Sequence, residues 1–383
     1  MRIGLIAIGD PTQAGTWSGV PFRIFCQLKR QGHDVYPLDL SSDFLWHWCG
    51  VFFNRLLRRI VPMWNRVAFC NTRMGLLLSS RWLKKMSRQL GPFDILFSTS
   101  FSVDFRDLSC PCILLHDWTE GYAILRTGGQ LNCAEEVSER NQLDLIKRAC
   151  LVVALYPKAC EYLINNIGKN LASKIRFICN PVNASPLTPE EVELRLASRS
   201  KRILVVGGAW YQENVEYVIQ AADALHDAEI VVDVVGRESA KTVPRFCKVN
   251  FYGYLDKDKP DEMAKYKSLF LGARCLVNIR KGWGAGSSIA EAMFGYVPVI
   301  VGRYSDIEAM YGEAEGRFGF YCQEGNVAEL SRILRRAIDL NDDQYRNLCV
   351  SAHNVCRNDT YEFLIGTILA DLEKRHDDRL EIL

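Results

Sequence analysis

Arg202-Ile203-Leu204-Val205-Val206-Gly207-Gly208 decides the fold of this chain. A short apolar run ends in two glycines. The pattern after it reads as a helix over 213–226 and a strand over 230–236. Strands near 249–253, 275–279 and 297–301 then alternate with helices over 261–270 and 287–295. Short apolar runs set between helical periods point to a parallel sheet buried on both faces. The same pattern has already run once from the start of the chain. Residues 3–8 are apolar and end in Gly9, a small-residue loop reaches Gly19, and a helix through Phe22, Phe25 and Leu28 stops at Gly32. Further strands are expected at 94–98, 111–115, 150–154 and 174–178, with helices at 134–149 and 157–167.

Between the two arrays, residues 180–199 carry Pro181, Pro186 and Pro189 among Ser and Thr, which marks a domain connection. The expected fold is therefore α/β, with two Rossmann-like domains facing a cleft and ligands beyond the carboxyl ends of the strands. The expected boundaries are 1–183, 184–358 and 359–383. The last of these is a C-terminal helix, preceded by helices at 325–340 and 342–356.

Composition narrows the class. The chain has 383 residues, 48% hydrophobic and 24% charged, with a formal charge of +2, which gives no global reason to expect nucleic acid. Its fourteen cysteines are irregularly spaced and include no CxxC pair. That pattern fits small buried hydrophobes in a reducing compartment better than a disulfide framework or a metal site. No apolar run reaches the length of about 18 residues needed to span a bilayer, and the apolar start is too short for a secretion signal. A cytoplasmic protein is expected.

The chemistry concentrates in Trp283-Gly284-Ala285-Gly286-Ser287-Ser288-Ile289-Ala290-Glu291. Glycines let a backbone approach a ligand closely, and free N–H groups at a helix start attract phosphate. A carboxylate one turn deeper can accept hydrogen bonds from sugar or ribose hydroxyls. The unit reads as a holder for a phosphorylated sugar derivative.

Taken in order, these pieces resemble a GT-B-fold glycosyltransferase of the large family 4 (group 1) type. The resemblance rests on the loop ending Ser18-Gly19, on Leu115-His116-Asp117, on Phe177 through Asn183, on Gly207, and most specifically on Gly284 through Ile300. It implies a nucleotide-sugar donor, UDP- or GDP-linked, held by the second domain. It also implies an acceptor held by the first, and no further cofactor. His116, with Asp117 beside it, falls at the family's active-site histidine. Glu291 falls at the second glutamate of the E-x7-E motif, which binds ribose. Gly19, Gly207, Gly208, Gly286, Ser287 and Ser288 fall at donor-binding places.

Three family residues are missing. Trp283 stands where the first motif glutamate belongs, Gly208 where an arginine follows Gly207, and Glu213 where a lysine comes later. Charge-assisted bonds are about twice as strong as neutral ones, so another cation must meet the diphosphate. Arg280 and Lys281 are the first candidates, followed by Arg303 and Arg237.

From Phe44 to Phe93 the chain has no acidic residue, yet it carries Arg55, Arg58, Arg59, Arg66, Arg73, Arg81, Lys84, Lys85 and Arg88. Trp46, Trp48, Phe52, Phe53, Trp64, Phe69 and Trp82 are interleaved with them. Aromatic rings settle at headgroup level and each basic residue gains about 1 kcal/mol near anionic lipid, so residues 44–93 are expected to meet the inner face of the cytoplasmic membrane. The plainer alternative makes the aromatics helix-core positions with arginines on the solvated face.

The expected function is a metal-independent glycosyltransferase, retaining by resemblance, that builds a lipid-linked or cell-envelope glycan such as lipopolysaccharide or capsule. The alternatives are a non-catalytic glycosyltransferase-like subunit and a sugar-nucleotide epimerase of the same fold.

Overall fold

A computed structural model describes residues 1–208, 211–280, 286–312 and 315–380, with side chains described to residue 374. The chain divides into two compact units. The first combines Met1–Cys179 with Tyr361–Leu383, and the second is Asn180–Thr360.

The first unit holds six parallel strands: β1 (Arg2–Ala7), β2 (Asp34–Asp39), β3 (Ile95–Ser98), β4 (Cys112–His116), β5 (Leu151–Ala154) and β6 (Ile175–Phe177). Their order across the sheet is β2-β1-β3-β4-β5-β6. Ile3 pairs with Val35 on one side and Ile95 on the other. β3 and β5 are buried along their whole length, because helices cover both faces of the sheet. The helix Tyr361–Leu380 packs against the helix Val20–Arg30, and Asp371 on it pairs with Arg176 of β6 at 2.7 Å.

The second unit repeats the plan with β7 (Arg202–Val206), β8 (Val231–Val235), β9 (Lys248–Phe251), β10 (Cys275–Asn278), β11 (Val299–Gly302) and β12 (Gly319–Cys322). The order β12-β11-β10-β7-β8-β9 sends the chain one way from β7 and the other way from β10. The gap between β7 and β10 is thus the topological switch point, where open α/β sheets leave a crevice beyond the strand ends. Buried Asn214 staples that point: its amide donates to the Val277 carbonyl at 3.1 Å and its oxygen accepts from the Ile279 N–H at 2.9 Å. Arg274, nearly fully buried, donates to the carbonyls of Ala337, Ser198, Ile338 and Leu340 and lies 3.5 Å from the Tyr345 ring centre. It ties the strand start to the end of the helix Val327–Asp339.

Beyond the expected elements stand one strand, the short helices Glu120–Leu125 and Ser305–Tyr311, and two longer helical stretches. Phe44–Phe52, capped by Asp43, continues through a wider turn, Phe53–Leu57, into Arg58–Ile60. Arg73–Leu90 is capped by Thr72. Both lie in the basic window. β12 is a four-residue strand that the apolar pattern did not reveal. All fourteen cysteines are free thiols, seven of them buried.

Candidate functional site

In the second unit the carboxyl ends of successive strands carry the candidate groups. Gly207 and Gly208 follow β7, and a Cβ at Gly207 would sit 2.4 Å from the Tyr211 ring, so only glycine fits. Gly236 follows β8 at φ +93°, with its N–H on the Gly253 carbonyl. Gly253, after β9, donates back to the Arg237 carbonyl at 3.0 Å. These glycines stitch three strand ends into one rim.

Beyond β10, Gly286 adopts the left-handed conformation and opens the helix Ser287–Phe294. The Ala290 N–H closes on the Gly286 carbonyl, and the amides before it have no acceptor within the helix. Buried Asn180 donates to the Ser287 hydroxyl at 2.9 Å, which holds the helix start in place. Lys281, Trp283, Gly284 and Ala285 lie outside the described residues.

Glu291 is 4% exposed. Lys257 Nζ lies 2.7 Å from its Oε1 and 2.8 Å from its Oε2, and the Tyr266 hydroxyl donates to Oε2 at 2.6 Å. Burial together with this carboxylate raises the Tyr266 pKa well above its ordinary value. Glu291 and Tyr266 also border an apolar cavity of about 290 Å³ with Met263, Phe270 and Phe294. Sequence reasoning had overlooked Lys257, which lies on a different loop.

Two of the expected phosphate cations are engaged in ion pairs. Arg280 pairs with Glu213 at 3.3 Å, and Arg303 pairs with Glu308 at 3.0 Å over the Tyr321 ring. Arg280, a candidate for the diphosphate, thus faces Glu213, the acidic residue at the place where the resembled family has a lysine. Glu213 is 61% exposed, so the pair is weak and can exchange for a phosphate. Arg237, by contrast, has a buried Nε with no hydrogen-bond partner.

In the first unit His116 ends β4. Its ring stacks on Trp17 at 4.9 Å and 10° and tilts against Phe101 at 5.4 Å. Its Nδ1 lies 3.1 Å from the Trp118 carbonyl. Loss of hydration brings the His116 pKa down to about 4, only partly offset by that carbonyl, so the imidazole is neutral. Burial pushes Asp117 the other way, up to about 7, with Arg126 offsetting part of the rise. Trp17, Ser18 and Gly19 run at φ +40°, +55° and +83°. Left-handed backbone at two non-glycine residues costs on the order of 1–3 kcal/mol each, and such strain gathers at ligand sites.

The basic window splits. Trp46, Phe53, Phe69 and Trp82 are core residues, as the helix-core alternative had it, which corrects the interfacial reading for these four. Exposed Phe44, Trp48, Phe52, Leu56 and Ile60 are spaced four apart along one helical stripe, and Leu45, Met63, Met74, Leu77 and Leu90 are exposed as well. Arg66 is spent on buried Glu135 at 2.6 Å. On the helix Arg73–Leu90, Arg81, Lys84, Lys85 and Arg88 line a hollow of about 760 Å³ with Arg106, and Lys84 pairs there with Asp107. Among the described residues no helix is long and apolar enough to cross a membrane.

Residues 200–339 match the family described as Glycosyl transferases group 1. Sucrose-phosphate synthase from Thermosynechococcus elongatus is similar in structure at 14% identity and TM-score 0.67, over 98% of this chain and 100% of that one. A UDP-forming trehalose-phosphate synthase from Burkholderia xenovorans matches at 10% identity and TM-score 0.65, over 97% and 98% of the two chains. HepE from Anabaena, solved with UDP and glucose, matches at 14% and 0.61, over 97% and 99%. No curated protein matches the sequence.

Proposed function

We propose that the chain is a group 1 glycosyltransferase on a GT-B fold, whose second unit holds a UDP- or GDP-linked sugar for transfer to a lipid-linked or cell-envelope glycan. One observation carries the donor assignment. At the switch point of the second sheet, a left-handed glycine opens a helix whose buried carboxylate sits one turn in. That arrangement offers amides to a diphosphate and an acceptor to ribose. The structural likeness to HepE, solved with UDP and glucose, supports it.

Arg237 and Arg280 are proposed to take the diphosphate, with Arg303 and, from the sequence, Lys281 as further candidates. These cations stabilise the leaving group without a metal. The chemistry is positioning plus charge stabilisation, with the departing diphosphate accepting the acceptor's proton and the anomeric configuration retained. Neutral His116 suits hydrogen bonding to a sugar hydroxyl better than charge stabilisation. Asp117 beside it is a second polar contact.

The exposed stripe and the basic hollow support peripheral docking of the first unit on the inner face of the cytoplasmic membrane. Rings and aliphatic side chains enter the headgroup boundary while arginine and lysine meet anionic lipid. A lipid-linked acceptor follows from that placement. Donor hydrolysis across UDP-, GDP- and dTDP-sugars, with calorimetry against the free nucleotides, tests the enzyme reading. A folded protein that binds none of them would leave the non-catalytic subunit in its place.

A further inference from the structure

We propose that Lys257 and Glu291 together read the two vicinal hydroxyls of the donor's ribose, so that this site selects ribose over 2′-deoxyribose. The proposal rests on Glu291 being the ribose ligand and adds to it the partner and the selectivity.

An ionised carboxylate offers about four acceptor positions, and an ammonium offers three donors. Lys257 uses two donors on Glu291, one to each oxygen, and the Tyr266 hydroxyl takes a second position on Oε2. One acceptor position therefore remains on Oε1, and one N–H remains on Nζ. The pair presents an acceptor and a donor side by side, 2.7 Å apart at their heavy atoms. A vicinal diol is the complement: one hydroxyl donates to Oε1 and its neighbour accepts from Nζ. The lysine side chain keeps 23% of its surface exposed while the carboxylate is almost fully buried, so the pair can be reached from the ammonium side.

The arrangement is also held in place. Lys257 lies four residues beyond Gly253, whose backbone is bonded both ways to the Gly236–Arg237 turn. The ammonium sits 4.3 Å from the centre of the Tyr266 ring, and that ring's hydroxyl anchors the far oxygen of Glu291. A nucleotide without one hydroxyl would leave either the donor or the acceptor unmatched. Sites built to bond a hydroxyl reject the analogue that lacks it far more strongly than apolar pockets reject a missing methylene.

The test is calorimetric titration with UDP, GDP and their 2′-deoxy and 3′-deoxy forms, on wild type, Lys257→Met and Tyr266→Phe, each checked for an unchanged thermal transition. Wild type is expected to prefer the ribose forms by at least about tenfold. Lys257→Met is expected to bind the ribose forms more weakly and to lose most of the preference. Tyr266→Phe, which removes only the far-side anchor, keeps the preference. If Lys257→Met does not fold, the wild-type ratio alone decides. Equal affinity of wild type for the ribose and deoxyribose forms overturns the proposal while leaving Glu291 as a nucleotide ligand. An unchanged preference in folded Lys257→Met also overturns it. Binding of neither UDP nor GDP removes the donor-site reading, and the proposal with it.

Discussion

The two strand-end sites treat charge in opposite ways. In the first unit, His116 is stacked against Trp17 and Phe101 and held neutral, and its neighbour Asp117 is pushed toward neutrality as well. In the second unit, the carboxylate of Glu291 is more deeply buried and lies against a lysine, while arginines stand at the ends of neighbouring strands. Burial disfavours charge at both first-unit groups, and Arg126 offsets only part of that at Asp117, whereas Glu291 has an ammonium within hydrogen-bond distance of both its oxygens. A site for uncharged sugar hydroxyls needs the first treatment, and a site for a diphosphate needs the second.

The largest expected effect lies outside both sites. Arg81→Glu, Lys85→Glu and Arg88→Glu together should weaken binding to anionic liposomes by at least about 3 kcal/mol, at about 1 kcal/mol per basic residue. Co-sedimentation measures it, with neutral liposomes as the control. Undiminished binding would confine the contrast between the units to their strand ends.

Next come the titrations of the first unit. The folded protein binds fewer protons at His116 than the unfolded chain does between pH 6.5 and about 4, so this group makes stability fall as pH drops through that window. The folded protein binds more protons at Asp117 between pH 3.8 and about 7, so that group makes stability fall as pH rises. The two slopes oppose each other in the wild type. Asp117→Asn should expose the histidine term, with stability rising by on the order of 3 kcal/mol from pH 4 to 6.5. His116→Gln should show the reverse slope. Urea midpoints across that range measure both, and parallel curves for the two variants would refute the assignment.

Glu291→Ala should weaken nucleotide binding by roughly 1–3 kcal/mol, the cost of lost bonds to a charged group. Calorimetry with UDP and GDP checks it, and unchanged affinity in a folded variant would remove the ribose role. The smallest effect is expected from Glu213→Gln. Removing the Glu213 charge beside Arg280 should strengthen diphosphate binding by up to about 1 kcal/mol. A weaker complex would mean that Arg280 needs Glu213 to hold its position.

The parallel sheets were legible because a strand covered on both faces writes its burial as a continuous apolar run, as in Ile3–Ala7 and Arg202–Val206. β12 escaped because its four residues, Gly319-Phe320-Tyr321-Cys322, are too short and mixed to separate from a loop. The helices over 44–60 and 73–90 stood only as the alternative, because their apolar and basic residues read equally well as an interface and as two helical faces. The sequence could flag Trp46, Trp48, Phe52 and Phe53 alike. Only packing assigned Trp46 and Phe53 to the core and Trp48 and Phe52 to the surface.

Local patterns in the sequence therefore determined the class of fold, the turn residues and the identity of the candidate groups, since periodicity and backbone preference act over a few residues. Tertiary structure alone decided the company each group keeps: Lys257 with Glu291, Glu213 with Arg280, Trp17 with His116. Ionisation and reactivity depend on burial and on neighbours brought in by the fold from distant parts of the chain, and no local pattern records those distances.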